Sequence, residues 1–189
     1  MEGLMRRIVV RVAWLLALTG CAGLTAGDRA AARAELRDTT GRAVGTARLE
    51  QVGDGVHLVL ELTGLPPGVH GVHIHAVGRC DPPDFASAGG HFNPDKRQHG
   101  LENPQGPHAG DLPNITIDPD GTGRLETVTE RVTLESGPTS VFDADGSALV
   151  VHAGPDDFRT DPAGLSGARI ACGILVKMAP PKPDPVRGY

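Results

Sequence analysis

Aromatic residues make up only 3% of this 189-residue chain, one Trp, one Tyr and four Phe. A core built from it must therefore be aliphatic, and Phe85, Phe92, Phe142 and Phe158 all fall in or near segments that read as loops. Basic clusters are missing too. With 18 basic and 23 acidic residues the formal charge is −5, and no Lys/Arg stripe is present to track phosphates, which excludes a general nucleic-acid binder. Heptads of Ala, Leu, Glu and Lys are scarce, which argues against a coiled coil or helical bundle. Cysteine is limited to three residues with no Cys-x-x-Cys, so a zinc ribbon has no ligands. What is plentiful is Gly, with 26 residues, and Pro, with 16. Together with 39% apolar content, they point to one turn-rich domain, all-β or loop-rich, in a chain too short for two full domains.

The N-terminus reads as an export signal. Arg6, Arg7 and Arg11 precede a short apolar run, Val12 to Leu18, too short for a permanent bilayer-crossing helix. The run ends in Leu18-Thr19-Gly20-Cys21, which resembles the bacterial lipobox, where the chain is cut before the cysteine and its thiol is acylated. Residues 1–20 are then a signal peptide and 21–33 a small, polar, lipid-anchored linker. Acyl chains worth about 0.8 kcal/mol per buried CH₂ would hold the domain on a membrane. Cleavage removes three arginines and Glu2, leaving 15 basic and 22 acidic residues, a charge of −7. With Cys21 assigned to lipid, Cys80 and Cys172 remain as an even pair in an oxidising compartment and are expected to be disulfide-bonded. Residues 179–189 form a Pro-rich tail with no packing pattern.

Between linker and tail, residues 34–178 show period-two alternation in about eight runs. These are Ala34–Arg37, Ala43–Gln51, Val56–Leu62, Val69–Ala76, Asn114–Ile117, Arg124–Leu134, Ala148–His152 and Arg169–Val176. Val56, Leu58, Leu60 and Leu62 share one face, as a sheet packed on one side requires. Two Gly/Pro/Asp-rich stretches, Val77–Leu112 and Ala153–Ala168, break the pattern. Loops of that length usually carry function.

Histidine is where the chemistry concentrates. His73 and His75 alternate onto one strand face and can share a metal, whereas His70 points the other way and reads as structural. His91, His99 and His108 with Asp111 are three imidazoles and a carboxylate within one loop, a donor set suited to tetrahedral Zn²⁺. His152 ends an apolar strand at the mouth of the second long loop.

Taken together these residues resemble copper/zinc superoxide dismutase. Gly-x-His-x-His-x-x-Gly-x-Cys stands at Gly71–Cys80, Gly-His-Phe-Asn-Pro at Gly90–Pro94 and Gly-x-Arg-x-x-Cys-Gly at Gly167–Gly173. Gln98-His99-Gly100-Leu101-Glu102-Asn103-Pro104 and the short second loop resemble the bacterial exported type. The resemblance implies an eight-stranded antiparallel Greek-key barrel or sandwich with two long functional loops. It implies one copper, on His73, His75, His91 and His152, and one zinc, on His91, His99, His108 and Asp111, with His91 shared between them. Asp156 is then the carboxylate linking His73 to His99, and Arg169 the cation that holds superoxide beside copper. Copper would cycle electrons while zinc, redox-inert, holds His91 in place. The second loop carries Arg159 but no lysine, so Lys96 and Arg97 are the candidates for steering the anion. The implied partners are superoxide, a membrane reached through lipid, and a second copy of the chain in a homodimer. The implied location is the surface of a cell or outer membrane, facing the periplasm or the exterior. The rival reading is a copper-buffering lipoprotein without turnover.

Overall fold

The computed structural model describes residues 29–179. The stretch read as a signal peptide, Cys21, most of the stretch read as a linker and residues 180–189 lie outside the described residues.

Among the described residues ten strands form, eight in a main sheet and two in a small one. They are β1 (Ala31–Asp38), β2 (Ala43–Val52), β3 (Gly55–Leu62), β4 (Gly68–His70), β5 (Val72–His75), β6 (Ile115–Ile117), β7 (Gly123–Thr129), β8 (Ala148–His152), β9 (Arg169–Ile174) and β10 (Val176–Lys177). The only helix among the described residues is a 3₁₀ turn at Ala86–Ala88. β1 starts at Ala31, inside the stretch read as linker, because Ala32 already joins Ala34 and Leu36 on the buried face.

The run Val69–Ala76 divides at Gly71. β4 pairs with β6 in a two-stranded sheet, while β5 pairs with β8 in the main sheet. Gly71 makes the switch by donating to Gly154 O at 2.8 Å and accepting from His152 N–H at 2.9 Å. The run Arg124–Leu134 also stops early, at Thr129. Its buried positions change parity from Leu125 and Thr129 to Val132 and Leu134, and one strand cannot bury both sets on one face. Arg169–Val176 breaks at Leu175, whose N–H turns to Ser147 O.

The main sheet is antiparallel, ordered β5-β8-β9-β1-β2-β3-β7, with β10 also paired to β1. β1, β2 and β3 form a meander, and β9 returns by a long connection to lie beside β1, which is a Greek key. β6 packs against β7 and β4 runs on into β5, so the curled sheet and the small one enclose one core. That core is aliphatic, with Leu36, Leu49, Leu58, Leu60, Ile74 and Leu149 all fully buried, and Phe92 enters it from the first loop. Each such leucine contributes about 1.5–3 kcal/mol on burial. Phe85 sits in a smaller cluster with Ala88, Ala148, Val150 and Cys172. Cys80 and Cys172 are bonded, Cα atoms 5.7 Å apart across 92 residues of sequence, and tie the first loop to β9.

Candidate metal centre

The histidines are carried by β5, by the end of β8 and by the loop that follows β5. Backbone hydrogen bonds lay that loop along β5 on both sides of its turn. Ile74 N–H donates to Gly110 O at 2.9 Å, Phe92 N–H to Ile74 O at 2.8 Å and Ala76 N–H to Gly90 O at 2.9 Å. The approach requires glycine at 110, where a Cβ would stand 2.2 Å from Ile74 O. Main-chain pairing thus brings His91 opposite His75 and Asp111 opposite His73.

His73, His75, His91 and His152 place one ring nitrogen each within 4.8 Å of the others. The outward nitrogen of each ring is fixed. His73 Nε2–H donates to Asp156 Oδ2 at 2.8 Å, His75 Nδ1–H to Gly89 O at 2.9 Å and His152 Nδ1–H to Gly167 O at 3.1 Å. His91 turns its Nδ1 to Asp111 Oδ1 at 3.0 Å. The inward atoms, His73 Nδ1, His75 Nε2, His91 Nε2 and His152 Nε2, are buried and have no partner. A buried polar atom left unpaired costs about 1–3 kcal/mol, and four of them converging on one point is the signature of a metal that all four would bind. Burial, reinforced by the neighbouring rings, depresses the proton affinity of every member. It holds His91 at about 4, His152 at about 3 and His73 and His75 well below the usual imidazole range. At neutral pH the inward lone pairs are free to bind a metal.

A second set centres on Asp111. Its Oδ1 lies 3.0 Å from His91 Nδ1, 3.0 Å from His99 Nδ1 and 3.4 Å from His108 Nδ1. Its Oδ2 accepts the N–H groups of Gly100 and His108, each at 2.9 Å. By proximity alone His73 also falls among His91, His99 and Asp111. Its ring is stacked on His91, centroids 3.9 Å apart, but its two nitrogens are committed to Asp156 and to the first set. His108 Nδ1 lies 3.3 Å from His91 Nδ1 on the same side of Asp111. His91 and His73 both stand within reach of the two sets, but His73 has its Nε2 engaged by Asp156.

Asp156 joins them, accepting from His73 on Oδ2 and from His99 Nε2 at 3.0 Å on Oδ1. Burial opposes its charge, yet these bonds and the Phe158 N–H hold its carboxyl well below the ordinary range. Asp111 behaves likewise under bonds from His108, His91 and His99. Burial also opposes a proton on His99, but the two flanking carboxylates raise it to about 9. Space for this bridge depends on Gly164, at φ +59°, where a Cβ would fall 1.8 Å from Asp156 Oδ1.

Arg169 lies opposite His152 in the β8–β9 ladder. Its guanidinium donates to Phe85 O and Gly89 O, each at 2.6 Å, within the loop that the disulfide anchors. The Gly89 carbonyl also orients His75, and the Arg169 charge lowers proton affinity at His75 and His152. Lys96 and Arg97 are exposed on the first loop, with Arg97 Nε–H donating to Gly106 O at 3.1 Å. His70 is indeed tied to carbonyls, of His152 at 2.8 Å and Pro66 at 2.9 Å.

Three residues escaped the sequence reading. Asn114 clamps the Asp156 main chain by a pair of 2.9 Å bonds. Asp161 accepts the His99 N–H at 2.6 Å. The half-buried Arg131 donates to Asp111 O at 2.6 Å. Asn114 and Asp161 sit in loop or strand-edge sequence without any periodic signal. Arg131 marks the parity break after β7, a signal the sequence does carry.

The family described as copper/zinc superoxide dismutase (SODC) matches residues 43–175. A superoxide dismutase [Cu-Zn] 1 of Aquifex aeolicus is 51% identical over 144 residues, covering 75% of this chain and 85% of that protein. A superoxide dismutase [Cu-Zn] of Deinococcus radiodurans is 41% identical over 183 residues, covering 89% and 94%. The crystal structure of a SOD-like protein from Bacillus subtilis superposes with a TM-score of 0.72 at 39% identity, covering 76% of this chain and 97% of that one.

Proposed function

The chain belongs to the copper/zinc superoxide dismutase family, an oxidoreductase acting on superoxide with copper and zinc as cofactors, and we propose how its residues divide the work. His73, His75, His91 and His152 hold copper, while His91, His99, His108 and Asp111 hold zinc. The observation that carries this division is the set of four buried ring nitrogens with no partner, each on a ring whose other nitrogen is already engaged. Bound copper supplies one-electron redox chemistry, and bound zinc a fixed positive charge.

The remaining work falls to the protein. Asp156, Gly89 O and Gly167 O fix the tautomers of His73, His75 and His152, so that their inward nitrogens stay unprotonated. His91 is held through Nδ1, so its Nε2 would stay in position to bind copper and, when not bound to the metal, to carry a proton for the reduced substrate. Arg169 keeps a permanent charge and a planar fork of donors beside His152 and His75, suited to orienting a small anion. Lys96 and Arg97 supply an attractive field on an otherwise acidic chain.

The enzyme works outside the cytoplasm, tethered by lipid on Cys21. Support for this comes from the signal-like N-terminus and from a disulfide, a bond that persists in oxidising compartments.

Metal content and superoxide disproportionation, measured on protein recovered from membranes before and after chelation, test the assignment. One copper and one zinc per chain, with activity lost on chelation and restored by copper, are expected. Full copper loading without turnover would instead make the protein a copper store. Cys21→Ser tests the tether separately and should release fully active protein from the membrane.

A further inference from the structure

A groove of about 680 Å³ lies on the outer face of β1, β2, β9 and β10, and the metal chemistry makes no use of it. Its lining includes three arginines, Arg33, Arg37 and Arg48, against a single carboxylate, Glu35. Arg37 is paired with Glu35 at 2.6 Å. Arg33 and Arg48 stand directly opposite each other across the β1–β2 ladder, and neither has an ion-pair partner among the described residues. Like charges in that position destabilise a sheet, so an anion bound there would relieve a pair whose neighbouring carboxylates on these two strands are only Glu35 and Glu50. The same groove is lined by Ile174, Val176 and Met178, which are 43%, 52% and 36% exposed. Their alternation turns all three outward while Leu175 is buried. Val176 is paired with Arg33 itself.

We propose that this face docks on an anionic lipid surface. Exposed aliphatic side chains enter the boundary between headgroup and acyl chain, and flanking guanidinium groups meet headgroup phosphates. The choice of lipid over protein rests on the reading of Cys21 as the acylated residue. β1, which carries Arg33 and Arg37, starts at Ala31, so a tether of ten residues spans at most about 35 Å and keeps this face within reach of the bilayer. A second copy of the chain fits less well. A two-fold interface presents the same patch on both sides, so the three groove arginines of each copy would face three more, with only Glu35 and the neighbouring Glu50 of β2 to offset them. Ile174 lies five residues from Arg169 along β9, about 17 Å at 3.3 Å per residue, whereas the other end of the groove reaches Phe85, whose carbonyl accepts from Arg169.

The test uses the full chain carrying Cys21→Ser, loaded with copper and zinc. It is mixed with vesicles of phosphatidylcholine alone, or of equal parts phosphatidylcholine and phosphatidylglycerol, and bound protein is measured by sedimentation at low and high salt. This protein has no acylation site, so the vesicle result is independent of the lipid-anchor reading, which cell fractionation of the unmutated chain decides. Binding to the anionic vesicles alone, reversed by salt, is expected. Arg33→Ala with Arg48→Ala should lower the partition about thirtyfold, at roughly fivefold for each basic side chain near the surface. Ile174→Ser with Val176→Ser should also weaken binding, and both double variants should keep dismutase activity. Equal binding to the two vesicle types, or unchanged binding by the arginine variant, would overturn the proposal. So would a concentration-dependent dimer that Ile174→Ser with Val176→Ser abolishes, since the face would then belong to a second copy.

Discussion

Replacing Asp156 with Ala takes away the acceptor used by His73 Nε2–H at 2.8 Å and by His99 Nε2–H at 3.0 Å. All three side chains are fully buried, so bulk water cannot step in. Two unpaired donors at about 1–3 kcal/mol each predict a loss of about 2–6 kcal/mol in the stability of the metal-free protein. The effect on zinc has two parts of opposite sign. Losing the hydrogen bond that orients a ligand histidine typically lowers metal affinity 10–100-fold. However, Asp156 also helps hold a proton on His99, raised to about 9 in the metal-free fold, and at pH 7 zinc must displace that proton in the unmutated protein. Removing Asp156 relieves part of this competition, so the zinc deficit of the variant should be small at pH 7 and approach the full 10–100-fold near pH 9, where the proton is leaving in both proteins. Asp156→Asn should resemble Ala at one of the two rings, because an amide offers one acceptor oxygen and turns an NH₂ group toward the other N–H. Zinc affinity measured by competition with a chromogenic chelator at pH 7 and pH 9 checks the reasoning. Equal zinc affinity of variant and unmutated protein at pH 9 would refute it, as would loss of copper ahead of zinc.

Arg169→Ala should leave both metals in place and lower the second-order rate constant about tenfold or more, since steering and local charge account for effects of that order; pulse-radiolysis rates with metal analysis would show it, and an emptied copper site would mean a structural role instead. Arg131→Met should speed zinc loss several-fold while changing the melting temperature little, because a half-buried cation without a carboxylate partner adds little net stability; unchanged zinc release kinetics would contradict this. In the metal-free protein, His75, His91 and His152 are depressed to about 4 or below, so unfolding takes up at least three protons between pH 6.5 and about 4, at roughly 1.4 kcal/mol per proton per pH unit. The raised His99 acts in the opposite sense: its contribution is complete below 6.5 and is lost as pH rises through about 9. Melting temperatures across pH 4–10 should therefore peak between about 6 and 7 and fall most steeply on the acid side, and a flat profile between pH 5 and 7 would refute the burial argument. Cys172→Ser should lower stability by about 2–5 kcal/mol in denaturant unfolding, with an unchanged midpoint as the contrary result.

Much of the site was legible along the chain because its donors obey local rules. The spacing of His73 and His75 puts both on one strand face, and His91, His99, His108 and Asp111 crowd one loop that has no core of its own. The β3 face of Val56, Leu58, Leu60 and Leu62 was equally plain. Where runs end was marked only by slips of parity, which do not say which partner each piece takes. Val69–Ala76 reads as one run although its parity slips at Gly71, with Val69 on one phase and Val72, Ile74 and Ala76 on the other, and the partners β6 and β8 decide that the chain changes sheets there.

By its residue types and their order, the chain determined an aliphatic antiparallel sheet, two long polar loops, an imidazole-rich centre and a pair of cysteines to close on each other. Those properties depend on side-chain chemistry and on the two-residue period of a strand, both written in one dimension. The resemblance implied that Asp156 links His73 and His99, and the tertiary structure supplied the contact across 83 and 57 residues of chain; it alone decided that Asn114 and Arg131 hold the backbones of two carboxylates. It also decided that Arg33 and Arg48 meet across a ladder beside Val176. Such contacts arise from strand register and loop closure, in which residues distant in sequence become neighbours only when the whole barrel curls around its core.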